Sequence, residues 1–177
     1  MNQYQMLYRE DERNKLVEWW KKLAENRGER AILRRAASAD DVLLTPAFAR
    51  FLKVMPAGWA KDYRLIDSAM VAGLLARVKT HEEKNSFAKS LAMPKKEGSK
   101  SVMSELRFQQ LQKSRDADEF YLRMTRALAM LDGRTNLLSL ADGILLWSKE
   151  QRQSVDKNPR KRLAVCWATD YYTFLKD

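Results

Sequence analysis

The sequence predicts an all-α fold, and three features of the chain lead to that prediction. Apolar residues recur every three or four positions along most of the 177 residues, which is typical of amphipathic helices. Thr45-Pro46 and Asn158-Pro159 each place a capping residue before a proline, a pair that favours a helix start. Few runs alternate in the manner of a strand over more than four residues. We therefore expect two small, bundle-like helical lobes joined by a basic loop.

The boundaries of these lobes follow from the same patterns. We expect an N-terminal helical lobe over residues 1–82, a basic loop over 83–102 and a C-terminal helical lobe over 103–177, packed as one compact unit. A chain of this length can bury a sizeable core. The loop is predicted because this stretch holds Pro94, Gly98 and several serines, which favour turns.

Four helices are predicted in the N-terminal lobe. The first has its apolar face over residues 16–23 and is expected to end where Gly28 adopts a left-handed conformation. A short basic helix follows around Leu33, and a third helix opens at Thr45. The fourth, over residues 60–79, has so broad an apolar stripe that we expect it to be central and largely buried.

The C-terminal lobe is also predicted to be helical. A first helix contains Phe108, and a second opens at Asp116, which stands in capping-box spacing with Glu119. Gly133 breaks the chain after that helix. Two further apolar faces, over residues 137–147 and 163–174, complete the lobe.

Catalysis and metal binding are not predicted. Proton-transfer catalysis usually needs a histidine or paired carboxylates, and the chain has one histidine, His81. We expect His81 at the C-terminal end of the long helix, where a cation interacts favourably with the helix dipole. One cysteine and one histidine cannot form a zinc site, and no phosphate-binding or dinucleotide motif is present. We therefore expect no enzyme activity, no cofactor and no metal.

The number of cysteines and the length of the uncharged stretches indicate in which cellular compartment the protein acts. The single cysteine, Cys166, rules out an internal disulfide and suits a reducing cytoplasm. It lies between Val165 and Trp167 on a predicted helix, so we expect a buried, unreactive thiol. The longest uncharged stretches fall far short of the about 18 apolar residues that span a bilayer. The tryptophans lie on apolar stripes, so core packing accounts for them better than base stacking. We expect a cytoplasmic protein without a membrane partner.

Positive charge is the main functional signal. Residues 84–115 hold eight lysines and arginines and two acids, and so carry +6 of the net charge of +10. Such a segment attracts the phosphates of a polyanion, although a merely solvated surface is the alternative. No RNA-recognition or helix-turn-helix signature accompanies it, so we expect contact with the nucleic-acid backbone rather than with bases. The candidate nucleic-acid-binding residues are Arg115, Lys149, Arg123, Arg107, Arg126, Lys113, Arg152 and Arg34.

A series of short motifs runs along residues 16–152 in a recognisable order. It comprises Trp19-Trp20, Arg30 with Leu33-Arg34-Arg35, Thr45-Pro46-Ala47-Phe48, Gly58-Trp59, His81, residues 86–92, Arg107-Phe108, Arg115-Asp116-Ala117-Asp118 and Trp147 with Lys149. In order and spacing these motifs resemble the CasB family, the small subunit of the type I-E CRISPR surveillance complex (Cascade). The chain departs from the family at Ala88, where members often have glycine, and over residues 93–100, a longer stretch than usual.

This resemblance implies an all-helical, non-catalytic subunit. In the family, small subunits pack head to tail with a second copy and contact the other Cascade subunits. They help to hold the guide RNA and target DNA, and they offer a basic path to the displaced DNA strand. The family's basic contacts carry over best onto Arg115 and Lys149. Arg123 matches a further basic position, and Arg107 lies next to one.

Two other functions stay open at this point. A structural adaptor would join protein subunits, meet acidic protein surfaces with its basic faces and touch nucleic acid only incidentally. A free-standing DNA-binding regulator would prefer one duplex sequence, and we expect no such preference.

Overall fold

The computed structural model describes residues 3–176, and within them ten α-helices, three short 3-10 turns and one two-stranded sheet. The first five helices are α1 (Glu10–Glu25), α2 (Arg27–Arg35), α3 (Ala39–Leu43), α4 (Pro46–Val54) and α5 (Leu65–Leu75). The others are α6 (Phe87–Ala92), α7 (Glu105–Gln112), α8 (Ala117–Met130), α9 (Leu137–Arg152) and α10 (Leu163–Phe174). The strands are β1 (Thr80–His81) and β2 (Arg134–Thr135). The all-α prediction is confirmed. The outermost residues of the two predicted lobes, 1–2 and 177, lie outside the described residues.

Helix α5 lies at the centre of the fold. Every residue from Asp67 to Leu75 is buried. The helix packs against α3 on one side and α9 on the other, so one apolar core runs through both halves of the chain. The predicted central helix is confirmed, but it is shorter than expected. It ends because Arg30 donates to the carbonyl oxygens of Ala76 and Val78, at 3.0 and 2.9 Å, which satisfies groups that a longer helix would use itself.

The break between the first two helices differs from the prediction. Gly28 does not adopt a left-handed conformation and lies inside α2. Helix α1 ends at Glu25, and Asn26 starts the next helix by accepting a hydrogen bond from the Glu29 amide at 3.1 Å. The boundary between the two helices is therefore set by Asn26, which caps α2, and not by Gly28 as predicted.

The segment 83–102, predicted to be a basic loop, contains helix α6. Phe87, Ala88, Leu91 and Ala92 are buried on that helix, which packs against α10. Their spacing fits an amphipathic helix, and the proline and glycine that favour turns come only after it. Residues 94–101 then form a short excursion, closed by an antiparallel bridge between Pro94 and Ser101. We call this excursion the lysine hairpin; its lysines are Lys95, Lys96 and Lys100.

The start of α8 and the break after it agree with the sequence. The Asp116 side chain accepts from the Glu119 amide at 2.8 Å. Glu119 reaches back to the Arg115 amide, also at 2.8 Å, one residue further than in the usual capping box. Gly133 has a φ of +71°, and its carbonyl oxygen accepts from Lys79 and Thr80, where the chain enters the parallel pairing of β1 with β2.

His81 is not at the end of the long helix, so its predicted interaction with that helix's dipole is wrong. The helix has already ended at Leu75, and His81 lies in β1. Its Nδ1 accepts a hydrogen bond from the Leu137 amide at 3.0 Å, which satisfies a backbone donor at the N-terminus of α9. His81 therefore supports the start of a helix rather than its end.

The aromatic residues and the cysteine can also be compared with expectation. Trp19, Trp147 and Trp167 are buried, and Phe120 stacks on Trp147 at 4.1 Å between ring centroids, so the predicted core packing is confirmed for them. Cys166 is only half-buried rather than buried. Its thiol donates to a backbone carbonyl oxygen. Burial together with nearby carboxylates raises the pKa of Cys166, so the thiol is expected to be unreactive, as predicted.

Within residues 3–176 no helix combines the length and the apolar character needed to span a membrane.

Two glycine substitutions test this description of the helices. In Gly28→Ala the new methyl group lies 3.8 Å from its nearest neighbour inside a helix, so the free energy of unfolding should rise by up to about 1 kcal/mol. In Gly73→Ala it would lie 2.8 Å from Val42 Cγ2 and against the Tyr121 hydroxyl, so the free energy of unfolding should fall by about 1–3 kcal/mol. Urea unfolding measures both. A destabilised Gly28→Ala variant would contradict the helical placement of Gly28.

Candidate nucleic-acid interface

A groove between α7 and α8 brings together three of the predicted binding residues. Arg107 comes from α7, and Arg123 and Arg126 come from α8. Two buried residues of α7, Phe108 and Leu111, pack this helix into the core and leave Arg107 exposed above the groove. The groove has a volume of about 660 Å³. Its other lining residues are Met103, Gln110, Leu111, Ala129 and Met130.

Two further depressions flank the last turn of α8. On one side Arg34, Arg77 and Lys79 line a depression that shares Ala129 with the groove. On the other side the lysine hairpin lines a depression that shares Met130 with it. The C-terminal half of α8 is therefore surrounded by positive side chains.

We call this region the α8 basic surface. A fourth depression, lined by the lysine hairpin and residues of the two strands, adds Arg134. The cationic members of the surface are Arg34, Arg77, Lys79, Lys95, Lys96, Lys100, Arg107, Arg123, Arg126 and Arg134. Among the residues that line these depressions, the acids are Glu82 and Asp132. The end of a helix attracts a cation or two through its dipole, but ten exceed what this one helix end requires. Such an excess of positive charge produces a surface that attracts polyanions.

The cations of this surface differ in how freely they can meet a phosphate. Arg77 is committed to the fold, because its guanidinium donates to the carbonyl oxygens of Gly73, Arg34 and Ala36 at 2.7–2.8 Å. Lys95 forms an ion pair with Asp132 at 2.9 Å. In contrast, Arg34, Arg107 and Arg126 are exposed and form no ion pair within the described part of the chain.

Two of the predicted residues share one carboxylate. Arg123 Nη2 lies 2.7 Å from Glu119 Oε1, and Arg115 Nε lies 3.4 Å from Glu119 Oε2. The Arg115 amide, and then the charges of Arg123 and Arg115, lower the pKa of Glu119, so its carboxylate stays ionised. Arg123 also donates to the Gln110 carbonyl oxygen. A phosphate that approaches Arg115 or Arg123 must therefore compete with Glu119.

The remaining predicted residues lie away from the groove. Arg152 and Arg115 line a separate depression beside Trp147, of about 410 Å³. There Arg152 Nη1 lies 2.6 Å from the carboxylate of Asp67, whose side chain is only 4% exposed. Burial raises the pKa of Asp67, and the Arg152 charge and hydrogen bond oppose that rise, so Arg152 mainly neutralises a buried acid. Lys113 and Lys149 are exposed outside both depressions.

Some members of the α8 basic surface were not among the residues predicted from sequence. The three hairpin lysines contributed to the basic segment, but nothing in the sequence placed them beside α8. Lys79 and Arg134 are distant in the sequence, and pairing of β1 with β2 brings them together. Arg134 has no basic residue close to it in the sequence and Lys79 has only Arg77, so charge clustering did not single out either. Among residues 3–176 no cluster of three or more His, Cys, Asp or Glu side chains could hold a metal ion.

The comparisons with known proteins fit this architecture. A chain in the crystal structure of E. coli Cascade bound to a PAM-containing dsDNA target superposes with a TM-score of 0.61 at 17% identity. The match covers 89% of this chain and 96% of that chain, so the two share a fold. No curated protein matches the sequence.

The family comparison is more specific. The family model described as CRISPR-associated protein Cse2 matches residues 29–172, which is most of the chain. The matched region contains most of α2, all of α3 to α9 and nearly all of α10, and thus the whole of the α8 basic surface. The resemblance of the motifs to Cascade small subunits is thereby confirmed, and the chain belongs to the CRISPR-associated protein Cse2 family.

Proposed function

We propose that the protein is a non-catalytic small subunit of a type I-E CRISPR effector complex and that it holds nucleic acid on the α8 basic surface. The observation that carries this proposal is the groove between α7 and α8, in which Arg107 and Arg126 are exposed and unpaired within the described residues. Membership of the Cse2 family and the fold shared with a chain of a DNA-bound Cascade complex support it.

The mechanism is electrostatic. Lysine and arginine side chains replace the counterions condensed on a phosphate backbone, and release of those counterions favours binding. Helix α8 has 14 residues and is therefore about 21 Å long at 1.5 Å per residue. A strand in duplex geometry advances about 3.4 Å per nucleotide, so roughly six phosphates fit along the helix. Base pairing with the guide supplies the sequence specificity, and the protein contributes charge and shape.

The proposed partners follow from the assembly. They are the other Cascade subunits, a second copy of this chain arranged head to tail, the guide RNA, the target DNA and the displaced DNA strand. By holding a displaced strand, the subunit would disfavour re-annealing and so prolong the opened duplex. Its single half-buried thiol is compatible with a reducing cytoplasm, where we propose that it acts.

A structural adaptor remains the second candidate function. Exposed apolar side chains away from the α8 basic surface, such as Leu44 at 85% and Tyr8 at 62% exposure, would suit protein contacts. The two functions are separated by measuring affinity for the complex with and without guide RNA. An adaptor keeps its full affinity without RNA, whereas a subunit that holds nucleic acid loses part of it.

The groove residues should set the salt dependence of binding. In a double variant, Arg107→Ala with Arg126→Ala, the slope of log affinity against log salt should fall by roughly one unit per residue. Fluorescence anisotropy with a single-stranded oligonucleotide between about 50 and 200 mM salt measures the slope. The matched control is Lys21→Ala with Lys53→Ala, two exposed cations on α1 and α4. An unchanged slope in the groove variant would remove both arginines from the contact surface.

Glu119 should weaken binding by occupying two arginines. Glu119→Gln keeps an oxygen that can accept from the Arg115 amide but removes the charge that pairs with Arg115 and Arg123. We expect tighter binding and a steeper salt slope than in the unmodified protein. Unchanged affinity and an unchanged salt slope in the folded variant would show that neither arginine meets a phosphate when released.

Arg152 should matter for stability rather than for binding. Arg152→Ala leaves the carboxylate of Asp67 buried without its cation, so the free energy of unfolding should fall by about 1–3 kcal/mol, less than for a fully buried pair because Arg152 is partly exposed. The salt slope should not change. Lys149→Ala, three residues earlier on the same helix, is the control for stability and should leave it within about 0.5 kcal/mol. A large loss of slope in a stable Arg152→Ala variant would reverse this assignment.

A further inference from the structure

A cavity of about 520 Å³ lies beside the last turn of α8, next to the groove between α7 and α8. Residues of the lysine hairpin, the two strands, the segment around α6 and the turn after α8 line it, and it is open to solvent. Its volume falls within the range of about 300–1,000 Å³ typical of small-molecule sites. It is connected to the rest of the α8 basic surface through Lys79 on one side and Lys95 on the other, since each lines the adjoining depression as well.

The walls of this cavity combine apolar and hydrogen-bonding groups. Met93, Pro94, Val102 and Leu131 contribute apolar surface, and Thr80, Asn85 and Ser90 contribute polar groups. The hairpin wall is held in place because the Val102 amide donates to the Met93 carbonyl oxygen at 3.0 Å. A nucleobase has the matching character, with flat faces that prefer apolar contact and edges that form hydrogen bonds.

Two cations without an ion pair in the described part of the chain, Lys79 and Arg134, also line this cavity. Thr80 and Arg134 are partners in the register of β1 and β2, so their side chains share one face of the sheet, and both line the cavity. Lys79 precedes Thr80 and lies at the passage to the Arg34 depression. Within the described residues neither Lys79 nor Arg134 forms an ion pair.

Both acids of the cavity already have partners. Asp132 has a φ of +53°, in the left-handed region that aspartate tolerates, and its carboxylate pairs with Lys95. The hydrogen bond and the charge of Lys95 lower the pKa of Asp132, so the pair stays ionised. Glu82 accepts from the Lys84 amide at 3.3 Å. Lys95 thus neutralises Asp132, whereas Glu82 keeps its negative charge and is outnumbered at the cavity by Lys79 and Arg134.

We propose that this cavity binds one unpaired nucleotide of a single strand that lies on the α8 basic surface. The base packs against the apolar walls, and the flanking phosphates meet Lys79 and Arg134. A base inside a duplex is stacked on both faces and cannot enter, so the site favours a single strand over a duplex. The apolar walls accept the flat faces of every base, so the site adds affinity and a preference for single strands. The inference rests on the proposed function, because the strand must first lie on this surface.

The test compares a thymidine oligonucleotide of about 20 residues with an abasic strand of equal length, which keeps the phosphates and removes the bases. Anisotropy with the full chain should show several-fold tighter binding of the thymidine strand. Val102→Trp fills the cavity and should abolish that preference while leaving affinity for the abasic strand unchanged. The matched control is Val155→Trp, at a position that is 47% exposed and outside the cavity, and it should keep the preference.

Three outcomes would overturn the proposal. The first is equal affinity of the unmodified protein for both strands, and the second is a preference for the thymidine strand that survives in Val102→Trp. The third is an equal loss of affinity for both strands in a Val102→Trp variant with an unchanged melting temperature. If the tryptophan variant does not fold, Val102→Phe is measured instead under the same criteria. Failure of the proposed function itself would be seen separately, as unchanged binding of both strands by the Arg107→Ala, Arg126→Ala variant.

Discussion

The contact between Arg77 and Tyr121 fixes α8 to the rest of the molecule, and the candidate interface depends on it. Arg77 Nη1 donates to the Tyr121 hydroxyl at 2.9 Å, and the same guanidinium donates to the carbonyl oxygens of Arg34 and Ala36 at the C-terminal end of α2. Gly73 leaves room for that hydroxyl against α5. Burial raises the pKa of Tyr121, so the phenol remains a neutral donor and acceptor. Together with the hydrogen bond from the Tyr121 hydroxyl to the Ala36 carbonyl oxygen, this contact holds the end of α2, and with it Arg34, beside α8.

A count of cations does not measure the capacity of this surface to bind phosphate. The arginines fall into groups with different partners: Arg77 and Arg30 hold carbonyl oxygens, Arg152 neutralises a buried acid, and Arg123 shares Glu119. Cations committed in this way contribute to stability or must be released before they can bind a phosphate. Exposed cations without a partner, such as Arg107, can bind a phosphate without first breaking an existing interaction. The binding free energy should therefore follow the unpaired members of the surface more closely than its net charge.

The sequence predicted the helical fold well because helix periodicity and capping are local. Thr45 caps α4 through the Phe48 amide at 3.1 Å, and α5 is buried as its broad apolar stripe indicated. Errors arose where a distant partner decided the structure. Arg30 ends α5 early, and the amide that His81 caps belongs to α9, 56 residues further along the chain.

The same distinction applies to the candidate site. Arg107, Arg123 and Arg126 could be predicted because they lie in or next to a segment rich in basic residues. Lys79 and Arg134 could not, since only the pairing of two very short strands unites them. Nor could the sequence show that Arg152 would be neutralised by Asp67, 85 residues away. Residues joined by tertiary contacts have no signal in a single sequence, whereas neighbours in one segment do.

Photo-crosslinking of nucleic acid within the assembled effector complex, followed by mass spectrometry of the crosslinked peptides, tests the central claim most directly. The account predicts crosslinks in α7, in α8 and in the lysine hairpin, with none in α1 or α4. Crosslinks confined to α1 and α4, with the α8 basic surface buried against a protein neighbour, would contradict it.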